Sequence, residues 1–228
     1  MWGANFVGDG VDADGHGHGT HCAGTVAGAT FGLAKKATVV AVKVLGADGG
    51  GTNAGVIAGV QWAAADAAGK RAVASMSLGG SRSEALNAAV AAAVAAGLPV
   101  VVAAGNSNAD AADYSPASEP SAITVGATAA DDARAYYSNY GEMLDVFAPG
   151  SAILSAYIGE SNNVTKTLSG TSMAAPHVAG VAAYLLGMDE SLTTPALLTA
   201  KILELAQVDT VTDTKGSPNK LLYNGSGF

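Results

Sequence analysis

A single cysteine, Cys22, stands in 228 residues, so no intrachain disulfide can form and cysteine pairing gives no reading of the redox compartment. Charged side chains make up only 13% of the chain, which excludes the high charge density of a disordered segment. The 11 Lys and Arg are outnumbered by 19 Asp and Glu, giving a net charge of −8 with no basic run. The electrostatic footprint of a nucleic-acid binder is therefore missing. Long apolar runs are missing too. Residues 85–102, the most apolar stretch, are interrupted by Asn87, Gly97 and Pro99, and a membrane span needs about 18 to 20 uninterrupted apolar residues. The chain as written opens Met1-Trp2-Gly3-Ala4-Asn5-Phe6, without the charged start and apolar core of a secretory signal.

What the sequence does have is 49% apolar residues and 30 glycines scattered without a period, a folded composition and not a collagen-like one. Alanine is roughly a fifth of the chain, well above ordinary usage, so helices pack through small side chains. The length suits one α/β domain, and no repeat or linker divides it. Residues 1–17 are rich in Gly and Asp, which favours turns and predicts a first ordered element near His18.

Further along, β-branched runs alternate with helical patterns. Strands are expected at 38–44, 72–78, 99–103, 122–126 and 145–147, and helices at 53–68, 84–96, 174–186 and 194–206. Ser81-Arg82-Ser83-Glu84 reads as a capping box for the second helix, with Gly97 as its stop. Alternation of this kind predicts a mostly parallel sheet with helices on both faces.

Three short segments combine reactive side chains with dense small residues: 14–22 (Asp-Gly-His-Gly-His-Gly-Thr-His-Cys), 103–106 (Ala-Ala-Gly-Asn) and 169–177 (Ser-Gly-Thr-Ser-Met-Ala-Ala-Pro-His). Each falls where a strand end or loop meets a helix, and in an open α/β sheet such junctions converge beyond the carboxyl ends of the strands. His, Asn and Ser together suit acyl transfer. A serine hydroxyl needs an imidazole to take its proton, and the tetrahedral oxyanion needs fixed donors. His18, Ser172 and the Asn106 amide supply those roles. Ser172, at a helix start, adds its own N–H, and Gly170 leaves room for a substrate backbone.

These motifs, with Lys43-Val-Leu45, Ser77-Leu-Gly-Gly80 and Tyr114-Ser-Pro-Ala-Ser-Glu-Pro120 in the same order, resemble the subtilisin-like serine proteases, nearest to the proteinase K type, over residues 14–186. The resemblance implies a three-layer α/β fold and a secreted endopeptidase acting on polypeptides as a monomer, with a propeptide or proteinaceous inhibitor as further partner. It makes His18 the base, Ser172 the nucleophile and Asn106 the oxyanion donor. It places substrate backbone on Gly49, Gly50 and Gly51 and on Ser77, Leu78, Gly79 and Gly80. Ala103, Ala104 and Gly105 then line the primary specificity pocket, whose lack of charge suggests an apolar or aromatic preference. A structural Ca²⁺ site of that branch maps to Pro120, Ala122 and Asp145.

The family's catalytic aspartate lies on a strand upstream of His18 in an Asp-Thr-Gly or Asp-Ser-Gly motif. Asp9, Asp12 and Asp14 stand in the Gly-rich loop without that context, so none is assigned to the triad. Loss of that carboxylate costs orders of magnitude in rate, as the serine proteases themselves established, this family included. Truncation of a longer protease, with the sequence starting after its signal, inhibitory propeptide and first strand, is one account; a non-catalytic peptide- or inhibitor-binding remnant is the other. A third class, a metal hydrolase on His16, His18 and His21, is chemically possible. His21 and His177 read as packed residues and Cys22 as a small buried hydrophobe one helical turn from His18, where a mercurial would obstruct the base. Trp2 reads as a core residue. Asn163 and Asn224 open glycosylation sequons that matter only in a secretory protein.

Overall fold

The computed structural model describes residues 1–226. Its first element precedes the expected one. β1 (Trp2–Asn5) lies within the segment read as turns, and runs parallel to β2 (Ala41–Lys43). The tertiary pairing overrides the local Gly signal, because the Asn5 side chain, not the composition, closes the turn that follows: its amide donates to Asp9 at 2.9 Å and its Oδ1 accepts the Val7 N–H at 2.9 Å. Trp2 is 37% exposed and not a core residue; it belongs to a two-stranded piece outside the main sheet.

Between these strands comes α1 (His18–Ala27). Gly17, at φ 93°, turns the chain into it, a left-handed conformation that suits glycine. The carboxylate of Asp14 caps it from three residues further back, accepting from the N–H of His16, Gly17 and Thr20 and from the Thr20 hydroxyl at 2.6–2.9 Å. A negative charge there opposes the helix dipole.

The remaining elements follow the expected alternation. α2 (Asn53–Asp66), β3 (Ala74–Met76), β4 (Gly80–Ser81), α3 (Glu84–Ala95) and β5 (Val100–Ala103) lead to β6 (Tyr114–Ser115), β7 (Ile123–Thr128) and β8 (Val146–Pro149). A hairpin of β9 (Ile153–Ala156) and β10 (Thr165–Leu168), not expected from the sequence, precedes α4 (Thr171–Met188), α5 (Pro195–Leu205), β11 (Gln207–Val208) and β12 (Lys220–Leu221). Ser83, not Ser81, caps α3 by accepting the Leu86 N–H, while Glu84 pairs with Arg82. Thr194 caps α5, with Pro195 first in the helix, where its missing N–H costs nothing.

The main sheet runs β11-β12-β8-β7-β5-β3, with β3, β5, β7, β8 and β12 parallel. β5 shows why it is a three-layer structure. Val101 and Ala103 pack with α4 and α5, whereas Val100 and Val102 pack with α2 and α3, the period-two alternation of a strand buried on both faces. The parallel α/β architecture with helices on both faces is the one the sequence implies. The β1–β2 pair stands apart from this sheet. Among the described residues β2 has no partner besides β1, and β3 none besides β5.

Candidate active site

Ser172 is the second residue of α4, which begins at Thr171, three residues ahead of the helix start expected from the sequence. Asn106 lies in the loop that leaves β5. The Asn106 Oδ1 accepts two bonds from the residue preceding the serine, the Thr171 N–H at 2.8 Å and the Thr171 hydroxyl at 2.9 Å. With the oxygen so engaged, the amide nitrogen makes no hydrogen bond among the described residues, and its two hydrogens are left available. Thr171, fully buried, also accepts the Gly105 N–H at 3.1 Å. Thr171 therefore locks the amide of Asn106 beside the start of the serine's helix. A Cβ on Gly170 would come within 3.5 Å of the Asn106 amide nitrogen, so glycine keeps that side open.

Pro176 lies inside α4 and lacks the N–H that would bond to the carbonyl four residues back, that of Ser172. The freed Ser172 carbonyl instead accepts the Ser77 hydroxyl at 2.8 Å and the Cys22 thiol at 3.3 Å. One missing donor thus joins the end of β3, α1 and the candidate nucleophile. The Ser172 hydroxyl itself donates to the Ser77 carbonyl at 3.3 Å, and no hydrogen bond joins it to His18 among the described residues.

Asn139 is a site residue that motif reading passed over. It is fully buried. Its Nδ2 donates to the Ala104 carbonyl at 2.8 Å, its Oδ1 accepts from the N–H of Ser107 and Ala109, and its own N–H donates to the Gly105 carbonyl. Four bonds grip the loop on both sides of Asn106. The one sequence-level signal was Gly105 itself, held at φ 104°, where a Cβ would strike the Asn139 amide at 2.4 Å.

The base side is built differently. His18 opens α1, and burial, followed by the nearby His16 and His21, lowers its pKa below the ordinary 6.5, with Asp14 pulling weakly the other way. No carboxylate is hydrogen-bonded to it among the described residues. Asp14 caps the helix: burial pushes its carboxyl up, but the bonds from Thr20, Gly17 and His16 outweigh that and hold it below the usual range. Asp9 is engaged by Lys43 and Asn5, which depress its pKa, and Asp12 lies at the edge of the same cluster.

Cys22 is buried and its thiol is pushed up to about 11 by that burial. His21, fully buried, places Nε2 between the carbonyls of Ile153 and Lys166, which fixes its proton there and ties α1 to the β9–β10 hairpin. His177 binds the Met173 carbonyl through Nδ1 at 2.8 Å. The three histidines His16, His18 and His21 do not converge. Among the described residues no three His, Cys, Asp or Glu side chains are placed to hold a metal ion, so the zinc reading fails on geometry.

A cavity of about 320 Å³ opens beside Ser172 and is lined by Leu78, Gly79, Gly80, Ala103, Ala104, Gly105, Asn106 and Thr171, among others. No charged residue lines it. Gly49, Gly50, Gly51, Ser77 and His18 are not part of its wall; Ser77 touches the serine directly, and Gly49 lies under the ring of His16. Antiparallel pairing of Gly80 with Ser115 holds one wall to the loop after the 3₁₀ turn at 111–113.

At the positions assigned to calcium, the Asp145 carboxylate accepts the Thr124 N–H at 2.8 Å. Burial raises its pKa to about 6, against the pull of that bond and of Lys220. A carboxylate and two backbone carbonyls are hard oxygen donors, the type that suits Ca²⁺; the contact the structure gives Asp145 in this region is with Thr124.

The sequence pattern of the subtilase family matches residues 5–226. Subtilisin-like protease 2 of Pseudogymnoascus destructans is 55% identical over 226 residues, which is 99% of this chain and 56% of that protein. A cuticle-degrading serine protease of Arthrobotrys oligospora is 56% identical over 225 residues, 98% of this chain and 54% of that protein. The chain thus spans about half the length of these curated relatives. In three dimensions a cold-adapted subtilisin-like serine proteinase superimposes with a TM-score of 0.94 and 49% identity, covering 100% of this chain and 82% of that one. Motif order, three-layer architecture and these matches agree, and the chain belongs to the subtilase family.

Proposed function

We propose that this chain carries the nucleophile and oxyanion machinery of a serine endopeptidase working through an acyl-enzyme. Ser172 attacks the peptide carbonyl while His18 takes its proton. The Asn106 amide and the Ser172 N–H stabilise the oxyanion. His18 then returns the proton to the leaving amine, and water repeats the cycle on the ester. The observation that carries this reading is the Asn106 amide, pinned through its oxygen by Thr171 so that its hydrogens are free beside Ser172. Pre-fixed donors need no reorganisation when charge develops. Polypeptide backbone pairs with Gly49–Gly51 and with Ser77–Gly80, and an apolar or aromatic side chain enters the uncharged cavity at Ala103–Gly105.

His18 also needs a carboxylate to fix its tautomer and hold its positive charge. We assign that role to a further strand beside β2 and β3, each of which has a single pairing partner among the described residues. Val44 and Leu45, which follow β2, and Ala74 of β3 pack on the core beneath and are only partly buried. Ca²⁺ held by Pro120, Ala122 and Asp145 would neutralise a buried carboxylate and brace β7 against β8. A secreted site of action, and a propeptide or protein inhibitor laid along the same glycine strands, belong to the same proposal.

A second reading has one observation in its favour. Without a carboxylate on His18, residues 1–228 alone would bind peptides and cleave them poorly. Labelling with a fluorophosphonate probe separates the two, on the 228-residue chain and on a longer protein supplying the missing strand, each beside its Ser172→Ala variant. The expected result is Ser172-dependent labelling that is fast only in the longer protein. No labelling in either, with both folded, overturns the peptidase reading.

A further inference from the structure

We propose that Asn163, at the tip of the β9–β10 hairpin, carries an N-linked oligosaccharide and that Asn224, the asparagine of the second sequon, does not. The inference rests on the secreted site of action proposed above and adds a covalent site to it.

Asn163-Val164-Thr165 and Asn224-Gly225-Ser226 both fit the acceptor pattern, which becomes a glycan site only on an accessible surface. The fold separates them. β9 and β10 pair from Ile153 and Leu168 to Ala156 and Thr165, and the Tyr157 N–H closes the ladder by donating to the Val164 carbonyl at 2.9 Å. Beyond that bond the chain turns back, and residues 159–163 are exposed without a break. Val164 is half-buried, and a Cβ on Gly159 would strike it at 2.7 Å. Asn163 and Thr165, on either side of it, are both exposed. Neither the Asn163 amide nor the Thr165 hydroxyl makes a hydrogen bond among the described residues, so a sugar on that amide displaces no contact. The ties that hold the hairpin lie at its other end, where the His21 ring meets the carbonyls of Ile153 and Lys166 and the Tyr157 hydroxyl donates to the His16 carbonyl.

Asn224 stands in the opposite situation. It is half-buried, and its Oδ1 accepts the Ser226 N–H at 3.0 Å and the Ser226 hydroxyl at 2.7 Å. The sequon's hydroxyl is therefore spent on its own asparagine. The Tyr223 hydroxyl closes the same turn onto the Ser226 carbonyl, and a Cβ on Gly225, held at φ 74°, would lie 3.1 Å from Leu205 at the end of α5. A bulky group on this amide has to stand clear of a closed turn. Asn162 supplies an internal control, since it is as exposed as Asn163 but has Val164, without a hydroxyl, two residues on.

The donor is an oligosaccharide linked to a lipid diphosphate. The Asn163 amide nitrogen attacks the anomeric carbon, an N–C bond forms, the C–O bond to the diphosphate breaks, and the lipid diphosphate leaves with the electron pair. The amide gives up one proton to the transferase, and nothing is oxidised or reduced.

The test uses the full protein harvested from the medium of a eukaryotic host that secretes it, treated at once with a serine-directed inhibitor and read by intact mass before and after digestion with a glycan-releasing amidase. The mass should fall by one oligosaccharide, and the digested chain should carry aspartate at position 163. Asn163→Gln and Thr165→Ala should each abolish the difference, Thr165→Ser should keep most of it, and Asn162→Gln and Asn224→Gln should leave it unchanged. A secreted protein bare at Asn163, or a difference that survives Asn163→Gln, overturns the proposal while leaving the secreted reading intact. Protein retained inside the cell without a glycan overturns the secreted reading, and this one with it.

Discussion

On one flank of Ser172, the loop after β5 is tied down on both sides of Asn106 by the buried Asn139 and Thr171; on the other, the His18 ring has no hydrogen bond among the described residues. The strands behind the two flanks differ in the same way. Val101 and Val102 of β5 and Val125 of β7 are fully buried, whereas every residue of β2 is only half-buried and Ser75 of β3 is exposed. Both flanks come from equally clear motifs, so motif strength does not explain the contrast. The oxyanion flank is assembled from residues 103–172, all inside this chain. On the base flank, β2 pairs only with β1 and β3 only with β5 among the described residues, and no carboxylate is hydrogen-bonded to His18. Preorganisation is thus a property of each flank separately, and each can be perturbed by itself.

The largest break comes from the finished flank. Asn106→Ala should lower kcat by about 10²–10³ with little change in KM, a range set in part by a member of this same family. Asn139→Ala should lower kcat by about 10–10², because the loop no longer holds the amide in place. It should also cost about 1–3 kcal/mol of stability for buried polar groups left unpaired. The double variant should lose little more than Asn106→Ala alone in kcat, since both act through one amide. Additive losses would mean that Asn139 is structural only.

The sequence shows the reactive residues of both flanks and little of what holds them, for physical reasons. His18, Asn106 and Ser172 were legible because Gly and small residues crowd around groups that must approach a substrate. Asn139 was not, because a buried amide gripping a loop 30 or more residues away has no local pattern. Ser83 displaced Ser81 as the cap of α3, since two serines offered equal local chemistry and only the loop from Ser115 decides between them. β1 was hidden in a Gly-rich segment because its stability lies in pairing with β2. The β9–β10 hairpin was missed because its signal, Thr165-Lys166-Thr167-Leu168, is short and polar on one face.

A smaller effect sharpens the contrast from the sheet. At saturating Ca²⁺, about 100 times its Kd, linkage gives about 2.7 kcal/mol, or a rise in Tm of about 5–10 °C for a chain of this size. Hydrogen exchange should slow in β7 and β8 and stay unchanged in β1 and β2, because Asp145 bonds to Thr124 and belongs to the finished flank. Asp145→Asn should abolish the response and stabilise the calcium-free protein, having removed a buried charge. An equal rise in Tm in Asp145→Asn would assign the ion elsewhere.

The smallest effect is read at Cys22, which lies on the seam. Its thiol reaches the Ser172 carbonyl from α1, one helical turn after His18. Only the thiolate reacts, and burial pushes this thiol up to about 11, so at pH 8 the native protein should resist iodoacetamide. Modification then waits on an opening of α1 away from α4. If the base flank is the looser one, Cys22 should be alkylated through an opening about 1–3 kcal/mol easier than the one that exchanges the amides of Val178 to Val181. A strand that supplies the carboxylate should close that gap by slowing alkylation while leaving the amides alone. Equal opening energies in the chain without that strand would mean that α1 and α4 part only when the whole domain unfolds, and the contrast between the flanks would then be one of chemistry, not of stability.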